Sequence, residues 1–256
     1  MWLSACSETA KRALWLQSIC QISSGTTFVE LLAVLTGNKS VVRLVLPLGV
    51  AQEVAVAASS FGLQAHFSEY ELGTVRSNKN RDLFQTWVEP SETNPRALYL
   101  SFSKRIASHA AQLDLAGDDN ALAEILGYPC CCIRSYDPRQ LESWWYQISL
   151  RTPVKSGLPF VINRLALLYC KASYLYDFFP CSFNCQQSTI MANRNRDILI
   201  EQGCESLVSK WDGLLSGLFA VFPNSVLKLG DDGWKECFGR QEYSALSPIS
   251  LHFSHS

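Results

Sequence analysis

The chain has 256 residues, 48% of them hydrophobic and 18% charged, with a net charge of −1. That is enough length and apolar matter for one large domain or two small ones, and the near-neutral balance excludes a broad basic footprint for nucleic acid. No stretch reaches the ~18 consecutive apolar residues of a membrane span, and Glu8, Lys11 and Arg12 interrupt what a secretory signal would need as an apolar run. The expectation is a soluble, cytoplasmic protein with neither a membrane nor a nucleic-acid partner.

Thr27 and Glu30 have the T-x-x-E spacing of a capping box and predict a helix start before the apolar run at Leu31. Val41 to Leu46 is apolar and β-branched, a buried strand that Pro47 and Gly49 break. Val50, Val54, Ala57 and Phe61 fall on one helical stripe, with Gly62 as its stop. Leu63, Ala65 and Phe67 alternate with Gln64, His66 and Ser68, as on a half-buried strand. Gly73 to Arg81 reads as a polar loop. Phe84 to Val88 and Ala97 to Phe102 read as further strands around the turn-rich segment between Pro90 and Pro95.

From Ser103 the pattern turns helical. Ile106, Ala110, Leu113 and Ala116 share a face, and Asp118 or Asp119 can cap a following helix that ends at Gly127. Leu158 to Tyr169 is apolar nearly all round and predicts a buried helix. A helix is expected to open at FFPCSFNC and reach about Gln202, followed by an amphipathic helix carrying Leu207, Trp211, Leu214 and Leu218. Pro223 to Ser256 is rich in Gly, Ser and Pro and is expected to be irregular, with one or two short strands. The fold class expected is α+β (or α/β): a small N-terminal mixed sheet with helices, then a mainly helical half that carries the cysteines. The expected division is a mixed subdomain over 1–102, a helical metal-binding subdomain over 103–222 and an irregular segment over 223–256.

Ten cysteines are the anomaly. In a reducing compartment they point to metal or redox chemistry rather than disulfides. Cys6, Cys20, Cys170, Cys204 and Cys237 are scattered and read as small core residues. The other five form two tight clusters, Cys130-Cys131-Cys132 and Cys181/Cys185, each led by a proline, Pro129 or Pro180. Proline is favoured in a first helical turn, so both clusters are expected at helix N-termini, where free N–H groups and the helix dipole favour thiolates. Cys181 and Cys185, four apart, would share a helical face. Cys131 and Cys132 diverge by roughly 100° on a helix. That divergence is awkward for one tetrahedral ion and suits a multi-iron cluster, whose neighbouring thiolates bind different irons. The expected cofactor is therefore an iron–sulfur cluster, with zinc as the alternative, since C-x₃-C also lies within the usual zinc spacing. A thiol oxidoreductase using Cys181/Cys185 is a third reading.

Gly127, Tyr128, Pro129, Cys131 and Cys132, followed by Pro180, Cys181, Ser182 and Cys185, resemble the GYP-x-CC … PCS-x-x-C signature of a bacterial and archaeal family catalogued only as a domain of unknown function. The resemblance is sharp from about Ala97 to Gln202. It implies a metal or redox site with Cys131, Cys132, Cys181 and Cys185 as the shared four and Cys130 at a variable position. It implies no particular activity.

Asn163 and Arg164 interrupt an apolar run and need polar partners, a bound cofactor among the candidates; Arg134 follows the first cluster closely enough to join them. His109 is a candidate ligand for a Cys₃His site, and His66 with Glu69 is a weaker pair. Tyr169, Tyr174, Tyr176, Phe178 and Phe179 would give the second cluster an apolar shell. G-x-S-x-G, G-x-x-x-x-G-K, G-x-G-x-x-G and H-E-x-x-H are all absent. A redox or Lewis-acid role toward a small molecule or redox partner is the leading expectation. A non-catalytic, zinc-stabilised binding module is the alternative.

Overall fold

The computed structural model describes residues 5–21, 25–74, 83–86, 95–137, 144–168, 173–175, 178–223, 225–230, 233–239 and 248–254. Tyr169, Cys170, Tyr176, His255 and the expected loop beyond Thr74 lie outside them. The fold is α+β. The chain divides into two compact units, one of Lys11–Ser23 and Glu30–Tyr128, the other of Met1–Ala10, Ser24–Val29 and Pro129–Ser256. Among the described residues, no helix is long and apolar enough to cross a membrane.

In chain order the elements reaching the first cysteines are α1 (Glu8–Cys20), α2 (Gly25–Leu35), β1 (Val42–Pro47), α3 (Leu48–Ser59), β2 (Gln64–Thr74), β3 (Leu83–Thr86), β4 (Pro95–Ser101), α4 (Lys104–Ala116) and α5 (Asp119–Ile125). The four strands form one sheet in the order β1-β4-β2-β3, and every neighbouring pair is antiparallel. β1 and β2 therefore run the same way, joined through α3, with β4 inserted between them. This split β-α-β arrangement has no parallel neighbours, which excludes an α/β sheet. Residues 97–101 of β4 are all buried, so both faces of that strand are covered. Its run Ala-Leu-Tyr-Leu reads as continuously apolar for that reason.

The core of this unit packs Val41, Ala97 and Tyr99 against Ala107, Ala110, Ala111, Leu122 and Leu126. Alanines on α4 let its backbone approach the sheet closely, and the buried face lies one residue C-terminal to the expected stripe. Ser103 caps α4 by accepting from the Ile106 N–H, Gly117 closes it at φ 67°, and Asp118 caps α5. Gly62 and Gly127 also take positive φ where a stop was expected. The alternation of β2 fails after Phe67, where the register slips before Glu71. Ser68 is consequently buried, and its hydroxyl accepts from the Ala97 N–H at 3.1 Å. The expected capping box is also absent. α2 begins at Gly25, so Thr27 lies inside it, and the Glu30 carboxylate instead meets Lys39 Nζ at 2.9 Å with both side chains buried.

The second unit contains α6 (Cys130–Ser135), α7 (Trp144–Arg151), β5 (Leu158–Pro159), two 3-10 turns (Phe160–Ile162 and Arg164–Leu168), α8 (Gln186–Glu201), α9 (Glu205–Leu215), β6 (Gly217–Val221), β7 (Ser225–Gly230), β8 (Gly233–Gly239) and β9 (Ile249–Ser254). Its five strands run in the order β5-β9-β6-β7-β8; β5 pairs parallel with β9 and the rest are antiparallel. Two expectations fail here. The 158–169 run is not an α-helix: Pro159 extends the chain, and the Asn163 side chain accepts from the Leu165 N–H, which breaks the run into 3-10 turns. The segment expected to be irregular supplies β7, β8 and β9, and Leu218 belongs to β6 rather than to the amphipathic helix. An aromatic cluster forms the centre of this sheet's packing. Phe253 meets Phe183 edge-on at 5.4 Å and Phe219 edge-on at 5.6 Å.

Candidate metal centre

Two short segments of the second unit converge on one point. Pro129 is the N-cap of α6, with φ −62° and ψ 131°, so Cys131 and Cys132 lie in the first turn of that helix as expected. The other segment departs from expectation. Cys181 does not begin a helix; residues 181–184 turn, and α8 starts only at Gln186 with Cys185 as its N-cap. Phe183, between the two cysteines, drives this shape. Its ring is fully buried against Phe253, and its N–H donates to Thr152 Oγ1 at 2.9 Å. The aromatic anchor turns the chain so that Cys181 and Cys185 face the same way without sharing a helix.

The four sulfurs of Cys131, Cys132, Cys181 and Cys185 all lie within 4.8 Å of one another. Cys131 to Cys185 is 3.6 Å, Cys132 to Cys185 is 3.8 Å and Cys131 to Cys132 is 3.9 Å. Among the described residues this is the group of metal-ligating side chains that the fold gathers, and four cysteines so placed can hold a metal ion. Cys132 and Cys185 are buried, while Cys131 and Cys181 are half-exposed. The adjacent pair does not diverge as expected: their side chains swing back from diverging Cβ positions to bring both sulfurs onto the same centre.

Sulfurs packed this closely cannot all ionise without a cation between them. Hydrogen bonds to Cys181 and Cys185 raise the Cys132 thiol, with burial acting in the same direction. Burial and its bond to Cys185 push Cys131 up to about 11. Cys185 is held far below the thiol range because Cys132 and Cys181 donate to it, and Ser188 lowers it further. A metal ion bound here would replace the protons this group shares, so its uptake would release protons and weaken as pH falls.

Two donors address Cys132 from outside the sulfur group. The Cys181 N–H lies 3.3 Å from its sulfur and the Ser188 hydroxyl 3.2 Å. Ser188 is fully buried in the first turn of α8. Such outer hydrogen bonds hold a thiolate in position and drain its charge. Replacing Ser188 with alanine is expected to weaken metal binding by about 10–100-fold while leaving the fold intact. Competition with a chromogenic chelator measures the loss. A shift of the sulfur-to-cobalt charge-transfer band in cobalt-loaded protein would separate a tuned thiolate from a merely loosened helix.

The remaining candidates take other places. Cys130 is exposed, at the start of α6, and is not among the four. Arg134 is exposed in the last turn of α6, where its charge complements the helix dipole. Asn163 is fully buried, donates to the Leu215 carbonyl and accepts from Leu165. Arg164 donates to the Phe178 carbonyl and lies over the Phe179 ring at 4.3 Å and the Trp144 ring at 5.7 Å. It steadies the strand of chain that leads into Pro180 and Cys181. Phe179 also stacks on Tyr136 at 6.1 Å, so Phe178 and Phe179 flank this approach. Tyr174 is placed elsewhere, donating to Asp212 Oδ1 at 2.8 Å between α8 and α9. His109 is exposed on α4 in the other unit, and neither it nor half-buried His66 belongs to the gathered group. Ser188 and the Phe183 anchor were missed from sequence. A serine three residues after the last cysteine is the signal that could have found the first.

Compared with known proteins, the chain matches no family model, no curated protein and no solved structure.

Proposed function

We propose that Cys131, Cys132, Cys181 and Cys185 bind a single zinc ion as four thiolates, and that the chain is a non-catalytic module whose geometry this metal sets. The sulfur spacing carries the reading. Bonds of about 2.3 Å from a tetrahedral zinc put its sulfurs ~3.8 Å apart, and the three separations of 3.6, 3.8 and 3.9 Å support that fit. A cluster of two or more irons holds at least some of its thiolates on different metals, further apart than the 4.8 Å within which all four sulfurs lie. The compact group favours one ion over the iron–sulfur cluster expected from sequence.

The roles follow from where the residues lie. Cys131 and Cys132 bring the start of α6; Cys181 and Cys185 bring the turn before α8. Bound zinc supplies two positive charges and a cross-link between these segments, so its binding energy becomes folding energy. Four thiolates complete a tetrahedron and leave no open position for a substrate, as in structural rather than catalytic sites. The Cys181 N–H and the Ser188 hydroxyl offset the excess negative charge that four thiolates bring. Under this proposal the GYP-x-CC … PCS-x-x-C signature marks a family of such modules.

Anaerobic purification followed by metal analysis and visible absorption tests it. A colourless protein with one zinc per chain is the expected result. A brown protein with iron and acid-labile sulfide would overturn it in favour of a redox centre. A metal-free protein whose Cys181 and Cys185 cycle with a dithiol would favour a thiol oxidoreductase.

A further inference from the structure

Cys6 and Cys204 are distant in sequence and were expected to be unrelated core residues. Their sulfurs lie 3.2 Å apart, with Cys6 4% and Cys204 0% exposed. The contact is held by the backbone on both sides. The Ser7 N–H donates to the Gln202 carbonyl at 2.9 Å, and the Ser7 hydroxyl bonds Gln202 Oε1 at 2.5 Å. Gly203 has φ +75°, and a Cβ there would sit 2.4 Å from the Ala5 carbonyl oxygen. A residue without a side chain lets the segment at residues 5–7 lie against the corner between α8 and α9. Residues 5–7 and 202–204 therefore pack directly against each other.

We propose that Cys6 and Cys204 are a reversible disulfide site, closed by a low-molecular-weight disulfide such as glutathione disulfide. The step is balanced by exchange. One cysteine, as thiolate, attacks a sulfur of glutathione disulfide and releases one glutathione thiolate. The other cysteine then attacks the resulting mixed disulfide, forming the Cys6–Cys204 bond and releasing the second glutathione. The two protein thiols lose two electrons and two protons, and glutathione disulfide takes them up. The sulfurs already touch at 3.2 Å and have only to close to the ~2.05 Å of a disulfide. Opening of the 5–7 segment admits the oxidant. Burial pushes the Cys204 thiol up to about 12 and keeps it protonated while the segment is closed, so exchange waits on that opening. The bond would tie the beginning of the chain to the α8–α9 corner and raise the thermal midpoint.

Trypsin gives an unambiguous readout. Cleavage after Lys11, Arg196 and Lys210 yields peptides 1–11 and 197–210, each containing a single cysteine. Metal-loaded full-length protein equilibrated with glutathione disulfide, alkylated and digested without reduction should yield these two peptides linked, with the intact mass lower by two hydrogens. The link should disappear on dithiothreitol treatment and in both Cys6→Ala and Cys204→Ala. Separate glutathione adducts on the two cysteines, or unmodified thiols in a protein that retains its circular dichroism, would overturn the proposal. Metal content measured in the same samples keeps this outcome separate from the fate of the zinc reading, because the two sites share no residue.

Discussion

Serine in place of Cys132 is expected to weaken metal binding by at least about a hundredfold. Structural zinc sites carry ~10–16 kcal/mol in small metallo-domains, so an even share for one of four thiolates is ~3 kcal/mol. Cys132 should suffer at least that. It is buried, it receives both outer hydrogen bonds, and its sulfur lies within 4 Å of two of the other three. Cys185→Ser should behave alike. The thermal midpoint should fall with the metal, because the proposed ion joins α6 to the turn before α8. The surrounding sheet, with its Phe183, Phe219 and Phe253 cluster, does not depend on the metal for its apolar packing. The variants should therefore stay folded but less stable. Cys130→Ser, at an exposed position outside the group, should change neither reading. Cys204→Ser should keep its metal yet lose stability, since its thiol is fully buried against Cys6. Metal retention in Cys132→Ser equal to that of Cys130→Ser would show that Cys132 is not a ligand.

Lys39→Met is expected to cost about 3–5 kcal/mol in the other unit. The Lys39–Glu30 pair is among the most deeply buried charges described, with side-chain exposures of 2% and 5%. Lys39 also lies over the Tyr128 ring at 5.5 Å, so its charge is held by both a carboxylate and a π face. Methionine fills the space but leaves the Glu30 carboxylate facing an apolar group. Replacing both residues with methionine removes the uncompensated charge and should recover most of the loss, as apolar substitutes for buried ion pairs generally do. Urea midpoints of the three variants provide the measurement. A single variant within 1 kcal/mol of the parent, on the order of what an exposed pair is worth, would contradict a tightly buried pair.

Local chemistry was readable where a residue had only its neighbours to satisfy. Asp118 and Gly127 cap and close a helix by contacts within a turn, and they stand where the spacing predicts; Ser103, where the helical pattern begins, caps α4. The two cysteine clusters were legible because their residue type and proline lead are rare; setting Cys130 apart came from the family resemblance. Tertiary partners undid the rest. Glu30 was assigned to a helix cap three residues away and is instead taken by Lys39. The apolar run after Leu158 matches a buried helix in composition, yet Pro159 and the Asn163 side chain dictate 3-10 turns. Cys181 looked helical because Pro180 precedes it; Phe183 pulls the chain into a turn through a contact with β9, seventy residues further on. β6 to β9 were under-read because short strands among glycines and serines take their order from sheet pairing rather than from local preference. The adjacent cysteine pair departed from expectation for a related reason. Neighbouring Cβ directions on a helix do not determine where sulfurs point once side chains rotate, and Cys131 and Cys132 meet at 3.9 Å.

X-ray absorption at the metal edge of the purified protein tests the central claim most directly. The account predicts zinc with four sulfur neighbours at about 2.3 Å and no second metal nearby. An iron edge with a metal–metal vector and bridging sulfide, or a first shell of nitrogen and oxygen, would contradict it.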